Sequence, residues 1–178
     1  MTMGAVASVA MDRSGRNDPL ARHALRLDIE AFNAEYCHAL DDGGLQRWPE
    51  FFTEDGFYTI TGKENFDADL PVGLVYCEGK GMLKDRAFAI QNTAMFAPRY
   101  LRHHLSNTRI LGEDGDIIRA TTNFLLLETL QDELTTRLQQ AGVYHDEFQR
   151  QPDGSLLLRR RVCVYENLLV PTALVLPV

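Results

Sequence analysis

The sequence predicts an α+β fold, with helices leading and a strongly curved, mostly antiparallel sheet following. Three observations carry that prediction. Residues 20–93 contain three stretches whose apolar side chains recur at helical spacing. Residues 100–168 contain four long runs rich in β-branched and aromatic residues, separated by tight turn signals. No internal repeat or low-complexity tract divides the 178 residues, a length that suits one domain with its own core. Helices segregated from an antiparallel sheet come to cover one of its faces.

The first helix begins near Leu20, with Leu25, Ile29, Phe32, Tyr36 and Leu40 as its apolar stripe. Asp41, Asp42, Gly43 and Gly44 stop it, because glycine accepts the left-handed backbone that ends helices. Leu45–Phe52 fits a short second helix with Pro49 in its first turn and Trp48, Phe51 and Phe52 buried. Thr53–Gly56 reads as a turn and Phe57–Thr61 as a strand. Gly62–Leu70 reads as a polar loop closed by Pro71, Val72–Cys77 as a short strand, and Gly79–Thr93 as the third helix, ended by Pro98.

The long strands follow at Tyr100–Leu111, Ile117–Leu130, Leu134–Phe148 and Leu156–Leu168. Gly112–Asp116, Gln131–Glu133 and Gln151–Gly154 join them as turns. Ile118, Ala120, Thr122, Phe124 and Leu126 share one face of the second strand. Leu134, Leu138, Tyr144 and Phe148 are expected on one face of the third. Residues 1–19 are expected to be a disordered leader, and residues 20–178 a single domain. Within it, 168–178 form an apolar tail that serves as an edge strand or a subunit interface.

Composition removes several function classes. A net charge of −7 opposes a polyanionic partner, and no apolar run is long enough for a membrane helix. Arg159, Arg160 and Arg161 alternate between strand faces, so they form no basic patch and are expected to make edge or interface salt bridges. Cys37, Cys77 and Cys163 stand far apart, without the CxxC or CxH…CxxH spacing of a metal or Rieske site. Free thiols in a cytoplasmic protein are expected.

From Ala31 to Thr61 the run AFNAEYCHALDDGGLQRWPEFFTEDGFYTIT resembles the start of the small (beta) subunit of Rieske non-haem-iron aromatic-ring-hydroxylating oxygenases. The similarity continues through GKGMLKDR at 79–86, PRYLRHHLSNTRI at 98–110, AGVYHDEF at 141–148 and RVCVYEN at 161–167. It is strongest toward the salicylate 5-hydroxylase and terephthalate dioxygenase branch. The resemblance implies the cone-shaped fold shared by nuclear transport factor 2 and ketosteroid isomerase. It further implies a non-catalytic, assembly-stabilising subunit of an oxygenase acting on an aromatic carboxylic acid. That subunit would bind no cofactor. The Rieske cluster and mononuclear iron would sit in a large (alpha) subunit, and the small subunits would form a trimer within an alpha3beta3 complex. No nucleic-acid or membrane partner is implied.

No catalytic, cofactor-binding or metal residues are assigned. His103 and His104, adjacent on a strand, point to opposite faces and cannot chelate one ion. His38, His145, Asp85 and Asp146 show no ligand spacing that would complete a site with either. Arg102 and His103 occupy positions where relatives carry an Arg-His pair, which implies a structural or intersubunit hydrogen-bonding role; His104 has none. Arg86 pairs with a carboxylate, either within the concave sheet or on the helix surface. The alternative function is a stand-alone isomerase or dehydratase using Asp55, Tyr58 or His103 for proton transfer. It requires an open pocket, which Phe51, Phe57, Phe124 and Tyr144 would fill, whereas Tyr36 is expected in the core.

Overall fold

A computed structural model of the protein describes residues 18–169 and 176–178. Helix α1, Pro19–Asp41, starts where proline's fixed φ suits the first turn, and Asp18 accepts the Leu20 amide at 2.9 Å as its cap. Asp18 and Pro19 therefore belong to the helix, and the rest of the expected leader lies outside the described residues. Leu25, Ile29, Tyr36 and Leu40 are buried as the stripe predicts. Each such side chain contributes about 1.5–3 kcal/mol by leaving water.

The short second helix expected at Leu45–Phe52 is a 3₁₀ helix, Leu45–Phe51, with Pro49 inside it rather than in its first turn. Strand β1 spans Phe52–Gly62 and swallows the predicted turn at Thr53–Gly56. Its pairing shifts between Phe52 and Phe57, so those polar residues form a bulge rather than a reversal. The expected loop after β1 contains a short helix α2, Lys63–Asp67, and β2 is confined to Val75–Glu78. Helix α3, Gly79–Asn92, buries Leu83, Ala87 and Ile90, leaving Met82 exposed.

The long strands are β3 (Arg99–Asp114), β4 (Ile117–Leu130), β5 (Arg137–Arg150) and β6 (Leu156–Tyr165). Among the described residues six strands form one sheet in the order β2-β1-β6-β5-β4-β3. All pairs are antiparallel except β1 with β6, which is parallel and joins the first strand to the last. At Gly142 the backbones of β5 and β6 approach so closely that a Cβ would collide with the main chain of Val164.

β5 departs from expectation at its start. Leu134 precedes the strand fully exposed, and Leu138 is also exposed. Gln139 is extra in the pairing, since Leu126 faces Gln140 while Leu127 faces Leu138. The alternation therefore changes phase there, and only Tyr144 and Phe148 of the predicted face point inward. In the tail, Leu168 and Leu169 are exposed, Leu176 packs on the core and Val178 is fully buried. Residues 170–175 lie outside the described residues. No helix among the described residues is long and apolar enough to cross a membrane.

Candidate functional site

The concave side of the sheet, roofed by α1, α3 and the 3₁₀ helix, is where a ligand pocket could form. One half is aromatic and polar at once. Trp48 Nε1–H donates to Tyr36 Oη at 2.9 Å, and the Tyr36 hydroxyl donates to the main-chain oxygen of Val178 at 3.2 Å. Tyr58 is joined to the same residue twice. Its hydroxyl donates to the Val178 oxygen at 3.2 Å and accepts the Val178 amide at 2.8 Å. Cys163 Sγ adds a longer contact of 3.6 Å to that oxygen. Phe52 sits edge-on to Trp48, Tyr36 and Tyr58 and closes the cluster. Val178 thus fills the space on which Tyr36, Tyr58 and Cys163 converge.

The other half is built on a buried charge. Arg161 of β6 faces Asp146 of β5 across a register pair and binds it in a fork, Nε to Oδ1 at 2.9 Å and Nη2 to Oδ2 at 2.8 Å. Nη2 also reaches Asn33 of α1 at 2.5 Å, and both ion-pair side chains are 0% exposed. The guanidinium lies 4.3 Å from the ring centroids of Tyr36 and Tyr144, flanked by two π-faces. Phe124 stacks on Tyr144 at 4.6 Å and fills the remaining depth.

Reactivity at neutral pH is suppressed throughout this interior. Burial pushes the hydroxyls of Tyr36, Tyr58 and Tyr144 well above their ordinary values. It likewise pushes the thiols of Cys37 and Cys163 up to about 12, although the charge of Arg161 pulls both the other way. For Arg161 burial opposes the charge, but the Asp146 carboxylate more than offsets it and holds the group well above its usual value. The chamber is left without a thiolate or phenolate, and its carboxylate is saturated.

The three groups of the isomerase alternative do not converge. Asp55 lies exposed in the β1 bulge and accepts the Thr53 hydroxyl at 2.7 Å, a local bond typical of such polar residues. Tyr58 is engaged by Val178. His103 stands on the far edge strand. Phe124 and Tyr144 fill the interior as predicted and Phe51 is half-buried, but Phe57 points to the other sheet face, under Arg160 and against Tyr76. Its place is taken by Trp48, Phe52 and Val178. Arg86 is partly buried on α3, where its charge lowers the Cys77 thiol against the stronger upward effect of burial.

His103 and His104 do face opposite ways: the His103 side chain is 0% exposed and turns toward α1, whereas His104 is on the outside. The partner of His103 is Asp41 of the same chain, with Nδ1 at 2.6 Å from Oδ1 and the His103 amide donating to Oδ2 at 3.0 Å. Arg102 donates to Asp42 at 3.0 Å, holding that carboxyl below its usual range with help from His38. These contacts seal the end of α1 to β3. Between the two elements lies a cavity of about 620 Å³. Among the described residues no three His, Cys, Asp or Glu side chains are grouped so as to hold a metal.

Sequence reasoning missed Arg161, Asp146 and Asn33 as a unit. One signal was available: Asp146 falls between Tyr144 and Phe148 at the inward phase of β5, and a carboxylate in an apolar row requires a buried partner.

The family described as "Ring hydroxylating beta subunit" matches residues 36–170. The anthranilate 1,2-dioxygenase small subunit of Burkholderia cepacia is 34% identical over 151 residues, covering 85% of this chain and 92% of its own. A terephthalate 1,2-dioxygenase terminal oxygenase beta subunit of Comamonas sp. is 32% identical, with 85% and 97% covered. A crystal structure from Novosphingobium aromaticivorans, described as the beta subunit of an aromatic-ring-hydroxylating dioxygenase, is 34% identical with a TM-score of 0.80. That match covers 89% of this chain and 99% of the other.

Proposed function

Since this chain belongs to the ring hydroxylating beta subunit family, we propose that it is the non-catalytic, assembly-stabilising subunit of an oxygenase acting on an aromatic carboxylic acid. Its partner is a large (alpha) oxygenase subunit, which would carry the Rieske cluster and the mononuclear iron. The finer reading is a trimer of small subunits within a cytoplasmic alpha3beta3 complex, with a substrate of the salicylate or terephthalate type.

The observation that supports a shape-giving role over an independent isomerase is the occupied interior. Tyr36, Tyr58 and Cys163 converge on Val178, and Arg161 is neutralised by Asp146. A catalytic pocket keeps polar groups convergent on open space. Here they converge on the chain itself.

Coexpression with the large subunit tests the reading. The two polypeptides should co-purify with iron at a native mass matching three copies of each, and the small chain alone should hold none. Separate elution of the two chains would refute it.

A further inference from the structure

We propose that the strip running from Leu70 into β2 is a docking surface for the large oxygenase subunit, which covers it with an apolar segment carrying a basic residue at one end; this rests on the subunit reading above. Leu70, Val72, Leu74 and Tyr76 are each between 52% and 56% exposed, and no residue from Leu70 to Leu74 is buried. That exposure does not come from looseness. The Leu74 amide donates to the Ile60 oxygen at 2.7 Å, and the hydroxyls of Thr61 and Thr59 donate to the main-chain oxygens of Val72 and Val75 at 2.6 and 2.8 Å. A Cβ at Gly73 would lie 2.6 Å from Thr59 Oγ1 and 2.9 Å from the Ile60 oxygen, so the strip is laid tightly on β1. Tyr76 is held too, edge-on to Phe57 at 5.2 Å with its hydroxyl donating to Glu78 at 2.8 Å. A preset apolar surface loses little conformational freedom when a partner covers it.

The two edges of the sheet are treated differently. β3 is blunted: its pairing with β4 slips at Ser106/Arg109 and again at Ile110/Gly112, and Arg102, His104 and Arg109 stand exposed along it. β2, the other edge, pairs with β1 in unbroken register and is approached by the apolar strip. An edge left regular and apolar is one that another chain covers. Area and charge select that chain. The four side chains present on the order of 400 Å², within the range at which a monomer's largest apolar patch is often functional. Two copies meeting strip to strip would each contribute only about half of the roughly 800 Å² that a stable interface takes from each partner. The strip instead suits the apolar centre of a wider contact with a larger polypeptide. At its Leu70 end stand the exposed carboxylates of Glu64, Asp67 and Asp69, and Lys63 answers Asp67 alone. A Lys or Arg of the partner segment complements that end.

The test sets Val72→Ser with Leu74→Ser, which strips the patch at exposed positions, against Leu134→Ser, which removes a fully exposed apolar side chain elsewhere. Affinity for the large subunit is read by sedimentation, and hydrogen exchange of residues 70–78 is followed in the small chain alone and in the complex. The double variant should melt like the parent and bind the large subunit at least about tenfold more weakly, as when a contact loses its apolar centre. Leu134→Ser should bind like the parent, and exchange across 70–78 should slow in the complex. Asp69→Asn should weaken binding at low salt only. A double variant that binds like the parent, or exchange there that is the same free and bound, overturns the docking strip alone. So does a double variant that loses self-association while keeping its affinity for the large subunit, which assigns the strip to a second copy. A parent chain that binds no large subunit overturns the subunit reading itself.

Discussion

Arg161 with Asp146 and Arg102 with Asp42 are the same ion pair placed in two environments. The first is fully buried, forked, sandwiched by two tyrosine rings and joined by Asn33. In the second both side chains are 58% exposed, at the rim between α1 and β3. In water two such charges attract weakly and are screened by salt, whereas in the interior each would be intolerable without the other. The buried pair therefore fixes the relative position of α1, β5 and β6. The rim pair, open to water, fixes little. A scaffold needs the first behaviour.

Breaking the buried pair should have the largest effect. Arg161→Met leaves the Asp146 carboxylate uncompensated in an apolar chamber, and urea unfolding should show a loss of about 3–5 kcal/mol. Replacing both, Arg161→Met with Asp146→Leu, should recover most of that loss, because a matched apolar pair has no charge to desolvate. A double variant no more stable than the single one would show that the tyrosine sandwich, not charge compensation, dominates.

Alkaline pH attacks the same chamber less selectively. Cys37 and Cys163 titrate near 9.0 when unperturbed and near 12 when folded. Between those values the folded chain holds more protons than the unfolded one. Their stabilising contribution is complete below about 9 and falls as pH rises toward 12. The buried tyrosines push in the same direction. The melting temperature should therefore decline above pH 9, and Ellman's reagent should label Cys37 and Cys163 only as the chain unfolds.

The rim pair should give the smallest response. Arg102→Ala together with Asp42→Ala should leave the urea midpoint essentially unchanged, with any difference abolished in about 1 M salt. A large change would mean that the Asp41–His103 bond depends on Arg102, whose guanidinium also lies 3.9 Å from Asp41.

Element order was legible in the sequence because periodicity is local. The α1 stripe, the meander of β3–β6 and the inward row of Ile118, Ala120, Thr122, Phe124 and Leu126 all follow from spacing alone. Two phase changes were not legible. Thr53–Gly56 has turn composition, but bulges use the same residues, and only pairing distinguishes them. The extra residue at Gln139 reverses the facing of Leu138 without altering the local pattern. The site was less legible still. Alternation shows that Arg159, Arg160 and Arg161 diverge, but not which of them turns inward. The docking of Val178 between Tyr36 and Tyr58 joins segments more than a hundred residues apart in sequence.

The parallel pairing of β1 with β6 sets the order in which this chain can mature. Ile60 meets Cys163, about a hundred residues later, whereas β3 through β6 each meet a sequence neighbour across a short turn. Loop-closure entropy favours the hairpins first, so the meander is the natural nucleus and the first strand docks after it. During synthesis β1 has only the short β2 to pair with until β6 leaves the ribosome. Its aromatic side chains already have Tyr36, Trp48 and Tyr76 to pack on, but its backbone edge toward β6 stays unpaired for that interval, the kind of open strand edge that exposes a nascent chain to mispairing.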